Sequence, residues 1–170
     1  SLTRTDPRQA EEAVEDLSDL LRASLSSNRN RTTLKEELEV AAIYHRIEKL
    51  RLGDRLRIRW DIDALPMRAR IPSLTIQPLI ENAIYHGIEL LPDGGDVVVS
   101  GRRDGKYLLI TVSNPVAAGK SRSKNGNKMA LANIRQRFEL AYGSRASVSV
   151  EESDATYTVA LRFPVDEDAS

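Results

Sequence analysis

The chain contains no cysteine, which excludes a disulfide framework and a thiolate-held metal and suits a reducing compartment. It also lacks net charge: 25 basic and 25 acidic residues cancel, so no overall field draws it to nucleic acid or to an anionic membrane. No run of about 18 apolar residues occurs and no signal peptide opens the chain, so a soluble piece is expected. Internal repeats and long low-complexity segments are absent as well. What is present is 170 residues, enough for one good core, or for one domain with an appended element.

Read in order, the chain begins with two helices and continues as an α/β body. Asp6 and Pro7 form a cap and first-turn pair, after which Ala10, Ala13, Val14, Leu17, Leu20 and Leu21 recur on one face to about Ser24. Left uncovered, that stripe would be apolar surface, so this helix is expected to fold back on the body or to pair between two chains. Ser26 to Arg31 reads as a polar linker, with Asn28 and Asn30 favouring turns. Thr33 then caps a second helix running to about Leu52, acidic near its start (Glu36, Glu37, Glu39) and basic near its end (Arg46, Lys49, Arg51), as the macrodipole favours. Gly53 ends it.

Arg55 to Asp63 alternates apolar and polar residues and reads as a half-buried strand. Further on, Asp96 to Gly101 and Lys106 to Ser113 read as strands joined at Asp104-Gly105. Pro115 to Lys128 carries no apolar periodicity and reads as a loop rich in basic residues. Met129 to Tyr142 is helical, with Leu131, Ile134, Phe138 and Leu140 or Ala141 inward and Gly143 at its end. Ala146 to Glu151 and Thr156 to Phe163 are two more strands around a Ser153-Asp154 turn, burying Val148, Val150, Tyr157, Val159, Leu161 and Phe163. Helices on one face of a mixed, mostly antiparallel sheet make an α+β sandwich.

Between the first strand and the hairpin lies Ile71 to Ile88, IPSLTIQPLIENAIYHGI. Pro72 and Ser73 look like a helix start, and Leu74, Ile76, Leu79, Ile80, Ala83 and Ile84 follow at helical spacing. Asn82 and His86 stand four residues apart, as do Glu81 and Tyr85, so two polar stripes flank an apolar helix. An isolated Asn or His at such a position is most often solvated surface.

The run as a whole is more specific. QPLIENAIYHG resembles the N box of the LytS-type histidine kinases, within the superfamily of ATPases and kinases that share the Bergerat nucleotide-binding fold. Other stretches resemble the same family: AEEAVEDLSDLLRASL its second dimerisation helix; TLKEELEVAAIYHRIEKLRLGDRL, with Tyr44, Ile47, Glu48 and Arg51, the entry to its ATP-binding domain; and GNKMALANIRQRFELAYG its last nucleotide box. The resemblance implies a two-layer α/β sandwich of Bergerat type in 32–165, a partial dimerisation and phosphotransfer helix with linker in 1–31, and an acidic tail in 166–170. It implies a histidine protein kinase that uses ATP and Mg²⁺. Asn82, with Glu81 beside it, is then the candidate catalytic pair, and Asn82 the candidate metal ligand. His86, Asn114, Lys120, Arg122, Lys124, Gly126, Lys128, Leu131 and Asn133 become candidates for the nucleotide.

A triphosphate needs a divalent cation, basic side chains and free N–H groups at a helix N-terminus, and Asn82, the loop basics and the Met129 helix could supply these. The departures from the family pattern are specific. Asn114 stands where an Asp should accept from the adenine amino group, followed by Pro115 and Val116 instead of glycine-spaced residues. Lys128 and Ala130 replace two glycines of the last box. An uncharged acceptor bonds about half as strongly as an ionised one, so adenine recognition is expected to be weaker or different. Pro78 occupies the position where the superfamily's ATPases carry a water-activating Glu, so transfer to an acceptor is favoured over hydrolysis.

Neither His45 nor His86 sits in a phosphoacceptor context. The acceptor is therefore expected upstream, on a dimerisation helix of the same or a second kinase chain, with membrane helices beyond it. The implied partners are that helix, a second copy and a response regulator, for the cytoplasmic domain of an inner-membrane protein; the membrane is engaged only through upstream segments, and nucleic acid not at all. The alternative, motivated by Asn114-Pro115 and Lys128, is a degenerate module that keeps the fold, binds nucleotide weakly or not at all, and controls a response regulator by docking.

Overall fold

The computed structural model describes residues 7–9, 11–12, 14–17, 31–117 and 124–166, with the backbone alone for 124–128. Residues 7–9, 11–12 and 14–17 are helical (α1), and Val14 on the expected apolar stripe is 52% exposed. The rest of that stripe beyond Leu17, and the linker as far as Asn30, lie outside the described residues.

The body begins at β1 (Arg31–Thr33) and α2 (Leu34–Leu52). Thr33 caps α2 as its sequence predicts, its hydroxyl accepting from the Glu36 N–H at 3.2 Å. Gly53 closes the helix at φ 61°, where a side chain would be strained. Then come β2 (Leu56–Asp61), β3 (Arg70–Pro72), α3 (Ile76–His86), β4 (Gly95–Asp104), β5 (Tyr107–Pro115), α4 (Lys124–Tyr142), β6 (Ser147–Glu152) and β7 (Thr156–Pro164).

The main sheet has the order β2-β4-β5-β7-β6. β2 and β4 run parallel and the other neighbours antiparallel, the mixed, mostly antiparallel sheet that the strand pattern implies. One core unites both layers, with Leu34, Leu38 and Ala41 from α2, Ile76, Leu79, Ile80 and Ile84 from α3, and Leu131, Ile134 and Phe138 from α4. These meet Leu56, Val97, Val99, Ile110, Val112, Val159, Leu161 and Phe163 of the strands. Around Phe163 the rings of Phe138 and Tyr142 lie at 5.3 and 5.6 Å, edge-on and stacked. The opposite face of the sheet is polar, with Ser100 paired to Thr111 and Ser113 to Thr158 through their hydroxyls at 2.6 and 2.8 Å. All three long helices thus contribute to a single core on one side, giving a two-layer α/β sandwich of Bergerat type.

Several local expectations need correction. Pro72 and Ser73 do not start a helix: Arg70–Pro72 is a strand that pairs antiparallel with β1, and α3 begins at Ile76 with Thr75 at its cap. Thr75 offers no side-chain cap to the helix; its hydroxyl donates to the Pro72 carbonyl at 2.6 Å, and the Thr75 and Ile76 N–H groups go to Glu37. The strand pairing takes Arg31 out of the expected linker. The hairpin turn is Gly105-Lys106, one residue later than expected, with Gly105 at φ 60° in the first central position of a two-residue loop. The last helix starts at Lys124, five residues before Met129, inside the stretch expected to be loop. Of Leu140 and Ala141, Leu140 is 80% exposed and Ala141 packs on the core. Val148 and Val150 are half-buried, since β6 is an edge strand covered on one side only.

Candidate nucleotide site

α3 is the element on which the candidate site is built. Its inward face is Ile76, Leu79, Ile80, Ala83 and Ile84, and Asn82 is buried with them at 7% exposure. Asn82 is the only polar residue of this helix so placed. Among the described residues nothing is hydrogen-bonded to its amide. The described side-chain atoms that are both fully buried and unpartnered are His45 Nε2, Arg55 Nε and Tyr142 OH; the Asn82 amide is not one of them, so it stays within reach of solvent, where its oxygen can take a cation or a water hydrogen.

Its neighbours on the helix divide by stripe. His86, one turn on, is half-buried, and its ring meets Tyr85 edge-on at 5.1 Å. Glu81 lies on the other stripe, exposed, accepting from Gln77 Nε2 at 3.3 Å as a surface pair. Tyr85 is 63% exposed.

The end of α3 meets the end of β5 through Gly87. A β-carbon at Gly87 would stand 2.3 Å from Asn114 Nδ2 and 2.5 Å from the Ala83 carbonyl oxygen, so the chain is closed here without a side chain. Asn114 is 2% exposed, and its Nδ2 donates to the Pro115 carbonyl at 2.9 Å, which leaves Oδ1 as its acceptor. The strand does not stop at Asn114: Pro115 pairs with Thr156, and the Val116 N–H donates to the Ala155 carbonyl at 2.9 Å. Pro115 in turn packs over Gly95, where a β-carbon would come within 2.5 Å of its ring. Asn114-Pro115 is therefore built into the sheet.

Of the expected nucleotide residues, the structure brings Asn114 against the C-terminus of α3, two turns or less from Asn82 and His86. Lys120 and Arg122 lie outside the described residues. Lys124, Gly126 and Lys128 are on the opening turns of α4. Leu131 is a core residue at 5% exposure, and Asn133 is exposed. Among the described residues no group of three or more His, Cys, Asp or Glu could hold a metal ion, so a cation here would rely on the Asn82 oxygen, water and ligand oxygens. That donor set suits Mg²⁺, which keeps much of its hydration and takes few protein ligands.

Both ends of α3 are fastened by residues whose part the sequence pattern does not reveal. Glu37 of α2 is 5% exposed, and its carboxylate accepts from the N–H groups of Leu74 at 2.7 Å and of Thr75 and Ile76 at 3.0 Å each. It thus serves as the N-terminal cap of another helix, not as a solvated charge on its own first turn. Burial pushes its carboxyl above the ordinary 4.5, against the pull of those three N–H groups and of Arg137. From α4, Arg137 donates to the carbonyls of Ser73 and Leu74; its own burial lowers its pKa while Glu37 raises it.

Leu74, held on both sides, has φ 58°. For a non-glycine residue that costs about 1–2 kcal/mol and persists only where neighbours over-determine it. The hint in the sequence was that Glu37 interrupts the Leu34, Leu38, Ala41 stripe of α2. At the other end, Arg55 Nη2 donates to the carbonyls of Glu89 at 3.1 Å and Leu91 at 3.0 Å, and Arg51 pairs with both Glu48 and Glu89. Tyr44, beside Glu48, Glu81 and Glu89, has its pKa pushed upward, by burial first and by these carboxylates next.

A mixed sheet backed by three helices is also the fold of histidine kinase catalytic domains. The catalytic domain of ThkA superposes with a TM-score of 0.60 at 11% identity, covering 82% of this chain and 97% of that one. Full-length ShkA in complex with AMPPNP gives 0.56 at 15% identity, covering 97% and 40%.

In sequence, the family described as Histidine kinase matches residues 1–56. The Escherichia coli K12 sensor histidine kinase BtsS is 30% identical over 165 residues, covering 96% of this chain and 29% of BtsS. The sensor protein LytS of Staphylococcus saprophyticus is 28% identical over 176 residues, covering 96% and 30%. Over 96% of its length the chain is thus similar to sensor histidine kinases of the LytS kind, and it spans less than a third of the length of these relatives.

Proposed function

We propose that this chain is the ATP-binding catalytic region of a two-component sensor histidine kinase, presenting MgATP so that its γ-phosphoryl group reaches a histidine outside the chain. What carries the reading is Asn82, a largely buried residue whose amide has no hydrogen-bond partner among the described residues, on a helix that ends against Asn114. Asn82 would hold Mg²⁺ through its side-chain oxygen. The Asn114 oxygen, left free by the bond from Nδ2 to Pro115, would accept from the adenine amino group. His86 and the basic residues Lys120, Arg122, Lys124 and Lys128 would neutralise phosphate charge, with Gly126, Leu131 and Asn133 completing that side and Glu81 beside the metal ligand. The bound cation supplies charge stabilisation to the transferring phosphoryl group. The protein's own share is to bind, to orient and, with Pro78 where a water-activating acid would stand, to leave water unactivated.

Residues 1–31 would belong to the dimerisation region, 32–165 to the catalytic domain and 166–170 to a tail. A second copy, its phosphoacceptor helix and a response regulator are the partners this reading requires. The site of action would be the cytoplasmic side of the inner membrane; among the described residues no helix is long and apolar enough to cross a membrane. On this reading the run of motifs would resemble that of the alginate-regulation sensor AlgZ, also called FimS. Restoration of alginate control when the chain replaces the kinase region of that sensor tests the resemblance.

The direct test is calorimetric titration with ATP, with and without Mg²⁺. Binding at roughly micromolar to millimolar strength is expected, dependent on Mg²⁺ and lost in Asn82→Ala. Absence of heat and of any thermal shift at saturating MgATP would refute the reading. It would favour the second one, a docking module, which the continuous β5 at Asn114-Pro115 supports: in that case Asn82→Ala leaves signalling by the intact protein unchanged.

A further inference from the structure

The junction of α2, α3 and α4 bears on the same site from a distance. Three successive N–H groups entering α3 converge on the Glu37 carboxylate, and the two carbonyls just before them, of Ser73 and Leu74, receive the Arg137 guanidinium. Leu74 contributes both its N–H and its C=O to this junction, and it is the one described non-glycine residue with positive φ. Neither Glu37 nor Arg137 belongs to the wall formed by Asn82, Gly87 and Asn114.

Each, however, fixes a helix that carries part of the candidate site. Asn82 lies six residues into α3 from Ile76, about 9 Å along the axis at 1.5 Å per residue, and Gly126 lies eleven residues from Arg137 toward the start of α4, about 16 Å. The Arg137 bonds therefore tie the helix bearing the metal ligand to the helix whose opening turns carry Lys124, Gly126 and Lys128. A tilt at the tie is magnified along α4.

We propose that Glu37 and Arg137 are positioning residues of the nucleotide site, locking the left-handed turn at Leu74 so that α3 and α4 hold Asn82 and the opening turns of α4 at one separation. This rests on the proposed function of the site.

The test uses the intact kinase with its phosphoacceptor histidine, measuring autophosphorylation over a range of MgATP concentrations. Glu37→Gln keeps the shape but turns an NH₂ toward one of the three N–H groups, and Arg137→Met removes both donations while keeping an apolar stem. Each is expected to raise the KM for MgATP by about 10–100-fold, the usual cost of losing a supporting partner behind a ligand-bearing residue. Arg137→Lys, a single point donor, falls between wild type and Arg137→Met. The double variant should be no worse than the worse single one, because both changes release the same junction.

A purely stabilising role would lower the active fraction, and with it the apparent kcat, while leaving KM unchanged; that result overturns the inference, as does full additivity. If Glu37→Gln or Arg137→Met does not fold by circular dichroism, Arg137→Lys carries the same comparison. An intact wild-type kinase without MgATP-dependent autophosphorylation sinks the proposed function and this inference with it. An active wild type whose variants keep its KM sinks this inference alone.

Discussion

Replacing Gly87 by alanine tests the contact that joins the end of α3 to the end of β5 at the candidate site. The added methyl would stand 2.3 Å from Asn114 Nδ2, 2.9 Å from Asn114 Cγ and 2.5 Å from the Ala83 carbonyl oxygen, each well inside an ordinary separation of roughly 3.5 Å. Asn114 cannot swing into solvent, since it is 2% exposed and its Nδ2 is bonded to the Pro115 carbonyl. The strain must go into the α3 terminus or the end of β5, and overpacking of this kind costs about 1–3 kcal/mol. For a chain of this size that is a fall in Tm of about 2–4 °C per kcal/mol. Urea unfolding followed by the fluorescence of Trp60, the single tryptophan, and by circular dichroism measures it. Asn114→Ala removes both side-chain atoms that the methyl would strike, so Gly87→Ala should cost less in that background than in the wild type, by about 0.5–3 kcal/mol of coupling. An unchanged midpoint in Gly87→Ala, or an equal cost in both backgrounds, would refute the close approach.

Two further outcomes follow from the body of the fold. His45 lies half-buried, edge-on to Trp60 at 6.5 Å, with Nε2 buried and without a partner among the described residues; burial first, then Lys49 and Arg46, lowers its pKa from 6.5. The unfolded chain then binds a proton that the folded one refuses, so the stability this group contributes is present above pH 6.5 and is lost as pH falls through the folded value. Urea midpoints at pH 7.5, 6.5 and 5.5 should fall more steeply in the wild type than in His45→Phe; parallel slopes would contradict the assignment. Thr33→Ala removes the cap of α2 and should cost about 0.5–2 kcal/mol in urea unfolding, with Thr33→Ser recovering most of it.

Much of the fold was legible because its signals are local. Alternation at Leu56, Ile58 and Trp60, the α2 ends at Thr33 and Gly53, and the apolar stripe of α3 each depend on residues within a few positions of one another. Asn82 stands out in its run as a candidate, and the structure places it on the inward side of α3. The beginning of α3 is not legible locally because Pro72 and Ser73 satisfy local cap chemistry as well as Thr75 does; β1 outcompetes them by pairing with Arg70–Pro72 across some forty residues. The start of α4 was hidden by Gly126 and by the lack of apolar residues in 124–128, which lower intrinsic helix preference without preventing a helix anchored further on by Leu131, Ile134 and Phe138.

The sequence by itself therefore determined the element types, the α+β class, the charge balance and the family to which the N box points, since periodicity and composition suffice for these. Only the tertiary structure decided which polar groups are buried and what satisfies them. Glu37 reaches N–H groups 37 to 39 residues away and Arg137 reaches carbonyls 63 and 64 residues away. The physical reason is that a buried carboxylate or guanidinium is tolerable only with partners in place, and those partners are brought together by packing of the helices on the sheet, which no local stretch of chain specifies.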